Sequence, residues 1–346
     1  MVINGISTLA TSLLAQDSMS TTQKKLNDAV TEQSTLRHAD VGLALGSNVS
    51  RNLNWRVTLS QTTDYIDANS SALAKADALQ ASLESAKSAA NDYLNQLTGA
   101  RGATNGQTLA KQSSGLALDA VTTAVNVTYA GQYIMGGQNT DVAPLTTYQG
   151  GSAQSAFDSA FQSFFGFAKT DPAASTITAA QMNSFLQGPY EALFQSSSWS
   201  SNWSNATSTN LQSRIDNNQQ VDLGANANEA PFQDLMRGMV AVQDAGTGQL
   251  NASAFQAVVD YSIGKISGAV HGLGETQARI GEAQQAVNQT NTKLTSMKSL
   301  VEGEIDRTEG VDPAEVATRV NNLTSQLEAN YTVTGKLAKL SLLNYI

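Results

Sequence analysis

Apolar positions along this chain fall at helical spacing over most of its length, and they persist to both ends, where chains normally fray into polar residues. At the N-terminus Ile6, Leu9 and Leu13 form a thin stripe, and Met19, Leu26 and Val30 continue it after a shift of register. At the C-terminus Leu323 and Leu327 lead into Leu337, Leu340, Leu343 and Ile346. Stripes this narrow are marginal as isolated helices in water, so both ends are expected to order against neighbours, and these twelve residues are the expected subunit contacts.

Between the ends the pattern predicts long helices. From Asn54 to Leu97, Leu59, Ile66 and Leu73 repeat at seven, beside a second heptad row of Ala76, Leu83, Ala90 and Leu97. A helix over Gln107 to Val127 would turn Leu109, Leu116, Ala120 and Val121 inward, and Gly131, Gly136 and Gly137 break it. Helix returns at Phe232–Val242 and over Ala252–Ile305, a row carrying Phe255, Ile266, Leu273, Ile280, Val287, Leu294, Met297 and Ile305. That last span would reach about 80 Å at ~1.5 Å per residue. Gly310 ends it. Asp312, Pro313 and Glu315 then supply an N-cap, a proline at the first helical position and an acid at the third.

Residues 144–231 differ. Trp199, Trp203 and most of the phenylalanines concentrate there, and Ser213–Leu223 alternates as a strand does. The expected fold is therefore mainly α: long antiparallel coiled-coil-like helices from both halves of the chain form a rod, with paired terminal helices and a small inserted α+β domain. The expected domains are nested: 1–50 with 310–346, then 51–143 with 232–309, then 144–231.

Composition narrows the function. Charged residues make up 14% and aromatics 6% of the 346 residues, which suits thinly packed helical bundles better than an enzyme core. A net charge of −9 with scattered Lys and Arg argues against nucleic acid. The absence of cysteine removes disulfides and thiolate chemistry. Neither a basic n-region with a cleavage site nor an apolar run of ~18–20 residues is found, so no cleaved signal peptide and no membrane span is expected.

Candidate chemistry is sparse. His38 and His271 lack a nucleophile motif and read as solvated; Glu302, Glu304 and Asp306 point to different helix faces rather than to a cation site. The segment Ser196–Ser204, with Trp199 and Trp203, is the one candidate ligand platform, for sugar stacking; core packing of both rings is the simpler reading. No enzymatic activity, cofactor or metal is expected.

Three segments carry a family resemblance. The run Glu309-Gly-Val-Asp-Pro-Ala-Glu-Val-Ala-Thr-Arg, together with the ending Leu340-Ser-Leu-Leu-Asn-Tyr-Ile346, resembles the closing helix of bacterial flagellin-family axial proteins. Ala130-Gly-Gln-Tyr-Ile-Met-Gly-Gly-Gln-Asn-Thr-Asp-Val-Ala-Pro144 resembles a segment typical of the members that join hook to filament, and Ala39–Gly46 resembles the connector of alphaproteobacterial members. The family's common run near residue 50 is replaced by Gly46-Ser-Asn-Val-Ser-Arg51, which favours a junction member over a filament flagellin. The resemblance implies an extracellular structural subunit of the flagellum, exported by the type III apparatus with a chaperone on its C-terminal helix. It further implies a homo-oligomeric ring between hook-associated protein one and flagellin. A filament flagellin and a glycan-binding surface protein are the alternatives.

Overall fold

The structure, a computed structural model, describes the backbone of residues 8–343; side chains at 8, 9, 11, 12 and 337–343 are outside the described set. It is mainly α, with long helices drawn from both halves of the chain and two small antiparallel sheets. In chain order the helices are α1 (Thr8–Thr35), α2 (Val41–Leu45), α3 (Val49–Ala100), α4 (Gly106–Val125), α5 (Ser152–Phe165), α6 (Ala179–Phe185), α7 (Ser196–Asn202), α8 (Ala230–Asp244), α9 (Ala252–Glu309) and α10 (Pro313–Leu343). Strands β1 (Thr128–Tyr129) and β2 (Gln132–Tyr133) make one hairpin, and β3 (Gln212–Arg214) and β4 (Gln220–Asp222) the other. No helix among the described residues is long and apolar enough to cross a membrane.

Contacts divide the chain into two units, one of residues 1–64 with 293–346 and one of residues 65–292. In the larger unit, α3 and α9 run antiparallel, pinned by polar pairs that descend in register. Asn69 Nδ2 donates to Asn291 Oδ1 at 2.8 Å, Gln284 to Asp77 at 2.7 Å, Gln80 to the Gln277 carbonyl at 2.8 Å, and Arg101 to Asp260 at 2.7 Å. The heptad row Ala76, Leu83, Ala90, Leu97 is buried, and a second row, Leu79, Ala86, Tyr93, Ala100, interleaves with it at the three-then-four spacing of a packed seam. Residues 144–231 close no separate core. Phe157, Phe161, Phe185 and Tyr190 belong to the same continuous cluster as Leu83, Leu97, Leu235 and Ile266.

On α4 the expected face is turned. Leu109 and Leu116 are exposed, as is Ala120, while Ala110, Ser114, Ala117, Leu118, Val121 and Val125 face the core. The small residues win because α4 lies close against α8, where Ser114 Oγ donates to the Met239 carbonyl at 2.6 Å. On α9 the inward row holds to Val287 and resumes at Val301, but Met297 faces out. The break after Val125 becomes the β1–β2 hairpin, whose turn takes positive φ at both Ala130 (49°) and Gly131 (81°), the geometry of a type I′ turn. Helix α6 is continued by a π-turn at Leu186–Tyr190 that contains Pro189; a proline without an N–H accommodates that widened ladder.

Candidate assembly surface and its joint

The smaller unit is built on α1 lying beside α10. The row of α1 that packs inward is Met19, Thr22, Leu26 and Ala29, with Thr22 and Ala29 buried and the two larger residues half-buried. The partner row is Val316, Val320, Leu323 and Leu327, and Leu323 and Leu327 retain only 9% exposure each. Both rows alternate three and four, so the pair is coiled-coil-like, with small residues admitting close approach. Leu323 and Leu327, expected at subunit contacts, are covered within the chain by α1.

Val30 lies one position off that inward row and stays 47% exposed; Leu13 is 56% exposed and Leu14 69%. Tyr331 and Val333 on α10, and Leu53 and Val57 on the first turns of α3, are also largely exposed. The smaller unit thus satisfies one apolar row internally and turns further apolar side chains to solvent. Of the remaining expected contacts, Leu9, Leu337, Leu340 and Leu343 sit in described helices with side chains outside the described set, and Ile6 and Ile346 lie outside the described residues.

Where α1 ends, a joint ties four elements. Leu36 takes positive φ (55°), and a short antiparallel bridge pairs Arg37 with Gly310, the residue after α9. The His38 amide donates to the Glu309 carbonyl at 2.9 Å and the Val311 amide to the Leu36 carbonyl at 3.2 Å. Gly310 is required here, because a Cβ would collide with the Asp306 carbonyl.

Glu309 is the centre of the joint. Its side chain is fully buried, and its carboxylate accepts from Arg56 Nε at 2.8 Å and from Arg56 Nη2, with Arg37 at 3.5 Å. Burial pushes its pKa up, but hydrogen bonds from Arg56 and Asn52 and the charges of Arg56 and Arg37 outweigh that and hold it below the ordinary glutamate value. A second carboxylate, Glu32 on α1, accepts from Arg319 at 2.7 Å and from the Ala39 amide at 3.1 Å, and lies 3.6 Å from His38 Nδ1. Asp312 caps α10 by accepting from the Ala314 amide at 2.8 Å, whereas Glu315 turns to Arg319 at 3.0 Å. These pairings escape sequence reasoning because the partners lie 253 and 287 residues apart and no local pattern links them.

The other sequence candidates resolve as follows. Trp199 and Trp203 are buried and stack on each other at 5.6 Å, with Trp203 also stacked on Tyr148 at 5.4 Å. Trp199 Nε1 is spent on Asn228 at 2.8 Å. The core reading of both rings holds and the candidate sugar platform falls: both rings are buried, where aromatic area of this size is worth most. Glu304 pairs with Arg307 at 3.0 Å and Asp306 with Arg37 at 3.6 Å, while Glu302 is half-buried. His271 is exposed, 3.5 Å from Glu275.

Long paired helices, exposed apolar side chains on the smaller unit and acids locked by arginine fit a structural subunit. Residues 6–140 match the bacterial flagellin N-terminal helical region and residues 263–346 the bacterial flagellin C-terminal helical region, together well over half of the chain. The chain belongs to the flagellin family. It is accordingly a structural protein and not an enzyme, of a family that is exported into the flagellum and self-assembles into flagellar polymers. Among solved structures, one described as a flagellar hook-associated protein from Vibrio parahaemolyticus superposes with a TM-score of 0.52 at 12% identity, covering 76% of this chain and 97% of that one. No curated protein matches the chain by sequence.

Proposed function

We propose that this chain is the junction subunit that joins the hook, through hook-associated protein one, to the flagellin filament, the role of hook-associated protein three. The observation that carries an assembly role is the smaller unit, whose paired helices leave Leu13, Val30, Tyr331 and Val333 uncovered. The finer assignment draws on the Ala130–Pro144 segment and on the fold shared with the hook-associated protein of Vibrio parahaemolyticus. In this reading residues 1–50 with 310–346 form the assembly domain, 51–143 with 232–309 the helical domain, and 144–231 the variable insert. Ile6, Leu9, Leu13 and Val30 would meet neighbouring copies, as would Leu337, Leu340, Leu343 and Ile346, whereas Met19 and Leu26, expected there too, are turned toward α10 with Leu323 and Leu327. A flagellar export chaperone would cover the C-terminal helix before export.

A chromosomal deletion tests the reading. Hooks that persist while unpolymerised flagellin accumulates in the medium are the expected result, with quantitative immunoblotting giving roughly one helical turn of subunits per flagellum. Normal filaments in the deletion strain overturn it. A copy number in the thousands, with filaments lost, transfers the assignment to the second reading, a flagellin that builds the filament itself.

A further inference from the structure

In the larger unit a cavity of about 60 Å³ opens between α3 and the β3–β4 hairpin. Its apolar wall includes Ala76, Leu79, Ile134 and Leu223, and its lining also includes Lys75 and Ser213. Neither the Lys75 ammonium nor the Ser213 hydroxyl has a hydrogen-bond or ionic partner among the described residues. The carboxylate on β4 is already committed: Asp222 accepts from the Gly224 amide at 2.8 Å, from Asn210 at 3.1 Å and from Arg279 at 3.3 Å. Asn210, also in the lining, spends its amide on Asp222 and the Gly224 carbonyl at 3.3 Å, and its oxygen accepts from Asn226 at 2.9 Å. A cation and a hydroxyl are thus left uncommitted beside an apolar wall. Desolvation holds the Lys75 pKa below its ordinary value, as expected of an ammonium half-buried without a counter-ion.

We propose that this cavity binds a small carboxylate, with the Lys75 ammonium and Ser213 hydroxyl holding its oxygens and the Ala76–Leu79 wall taking its carbon. Size sets the class. One water needs ~10–15 Å³ of such space, so the cavity takes about four non-hydrogen atoms, the size of acetate or of the tip of an acidic side chain. A phosphate has more oxygens to satisfy and would press them against alkyl groups. The carboxylate has two possible sources, a free short-chain acid or an Asp or Glu side chain of a second copy of this chain.

The test is the reactivity of Lys75 toward reductive methylation, read by mass spectrometry against exposed Lys111 as internal reference. Sodium acetate up to roughly 0.1 M, matched to sodium chloride at equal ionic strength, covers the weak millimolar range expected of so small a ligand. The expected result is several-fold protection of Lys75 by acetate and none of Lys111, with the Ser213→Ala variant needing several-fold more acetate for the same protection. Equal rates for Lys75 in the two salts overturn the site. Repeating the assay on polymerised protein separates the sources. Protection appearing without acetate identifies a neighbour's acidic side chain, and protection still requiring acetate identifies a free ligand.

Discussion

Arg56, near the start of α3, donates to the fully buried carboxylate of Glu309 at the last residue of α9, closing a contact across 253 residues of sequence. Arg37 reaches the same carboxylate at 3.5 Å from the connector after α1. The buried acid therefore has two cations, and Arg56 is half-exposed while Glu309 is not. Removing one partner leaves unlike debts: a lost arginine strands a buried charge, whereas a lost acid leaves arginines that water can solvate.

Arg56→Met is accordingly expected to cost more than Glu309→Gln, about 2–3 kcal/mol against ~1–2 kcal/mol. Hydrogen exchange at the His38 and Val311 amides, which bridge the joint, reads the difference. Equal or inverted effects would mean that Arg37 alone suffices to hold the acid.

Because the Glu309 pKa is depressed in the folded state, its contribution is fully present above the ordinary glutamate value of about 4.3 and is lost as pH falls below it toward the folded pKa. The joint should loosen at acid pH, seen as faster exchange around residues 36–40 and 309–312. Glu309→Gln should flatten that dependence. An unchanged acid profile in the variant would place the sensitivity elsewhere.

Gly310→Ala drives a methyl into the Asp306 carbonyl and should disrupt the Arg37–Gly310 bridge, destabilising the joint by roughly 1–3 kcal/mol. Far-UV circular dichroism should barely change, since the helices themselves remain. Wild-type exchange rates at residues 36–40 in this variant would contradict the steric argument.

The two faces of the terminal pair should separate in their effects. Leu323→Ala with Leu327→Ala opens the α1–α10 seam and is expected to lower monomer stability by about 2 kcal/mol or more. Leu13→Ser with Val30→Ser touches exposed positions and should change stability by no more than ~0.5 kcal/mol each while weakening polymerisation. Sedimentation of the polymer alongside urea unfolding of the monomer distinguishes them, and unimpaired polymerisation of the second variant would remove Leu13 and Val30 from the contact surface.

Trp199→Ala should cost about 3–5 kcal/mol, since the ring is buried between Phe194 and Trp203. Oligosaccharides should leave the tryptophan fluorescence of the wild type unchanged. Saturable quenching would reopen the sugar-binding reading.

The parts of this fold legible in the sequence were those where one side-chain row decides burial. Ala76, Leu83, Ala90 and Leu97 follow a strict seven, and Asp312-Pro313 marks a helix start whose cap is formed. Reading failed where small or polar residues take the inner positions. On α4 the large Leu109 and Leu116 drew attention from Ala110, Ser114 and Ala117, which pack where only small side chains fit. The same bias selected Val30 over Ala29 on α1. The joint was illegible for another reason: charge pairs between remote segments have no period, and a glutamate before a glycine reads as a solvated helix end.

The hydrogen bond between Asn69 and Asn291 lies just inside the larger unit, close to where the chain enters it at residue 65 and leaves it at residue 292. Its 2.8 Å span means that a folded 65–292 segment already brings its own two ends together. For the first and last segments of the chain, the intervening residues then act as a short tether rather than a long flexible loop, and the entropic cost of their meeting falls accordingly. In a chain delivered from its first residue to its last, the order of events follows. The middle can close while the tail is still arriving, and the ends find each other last.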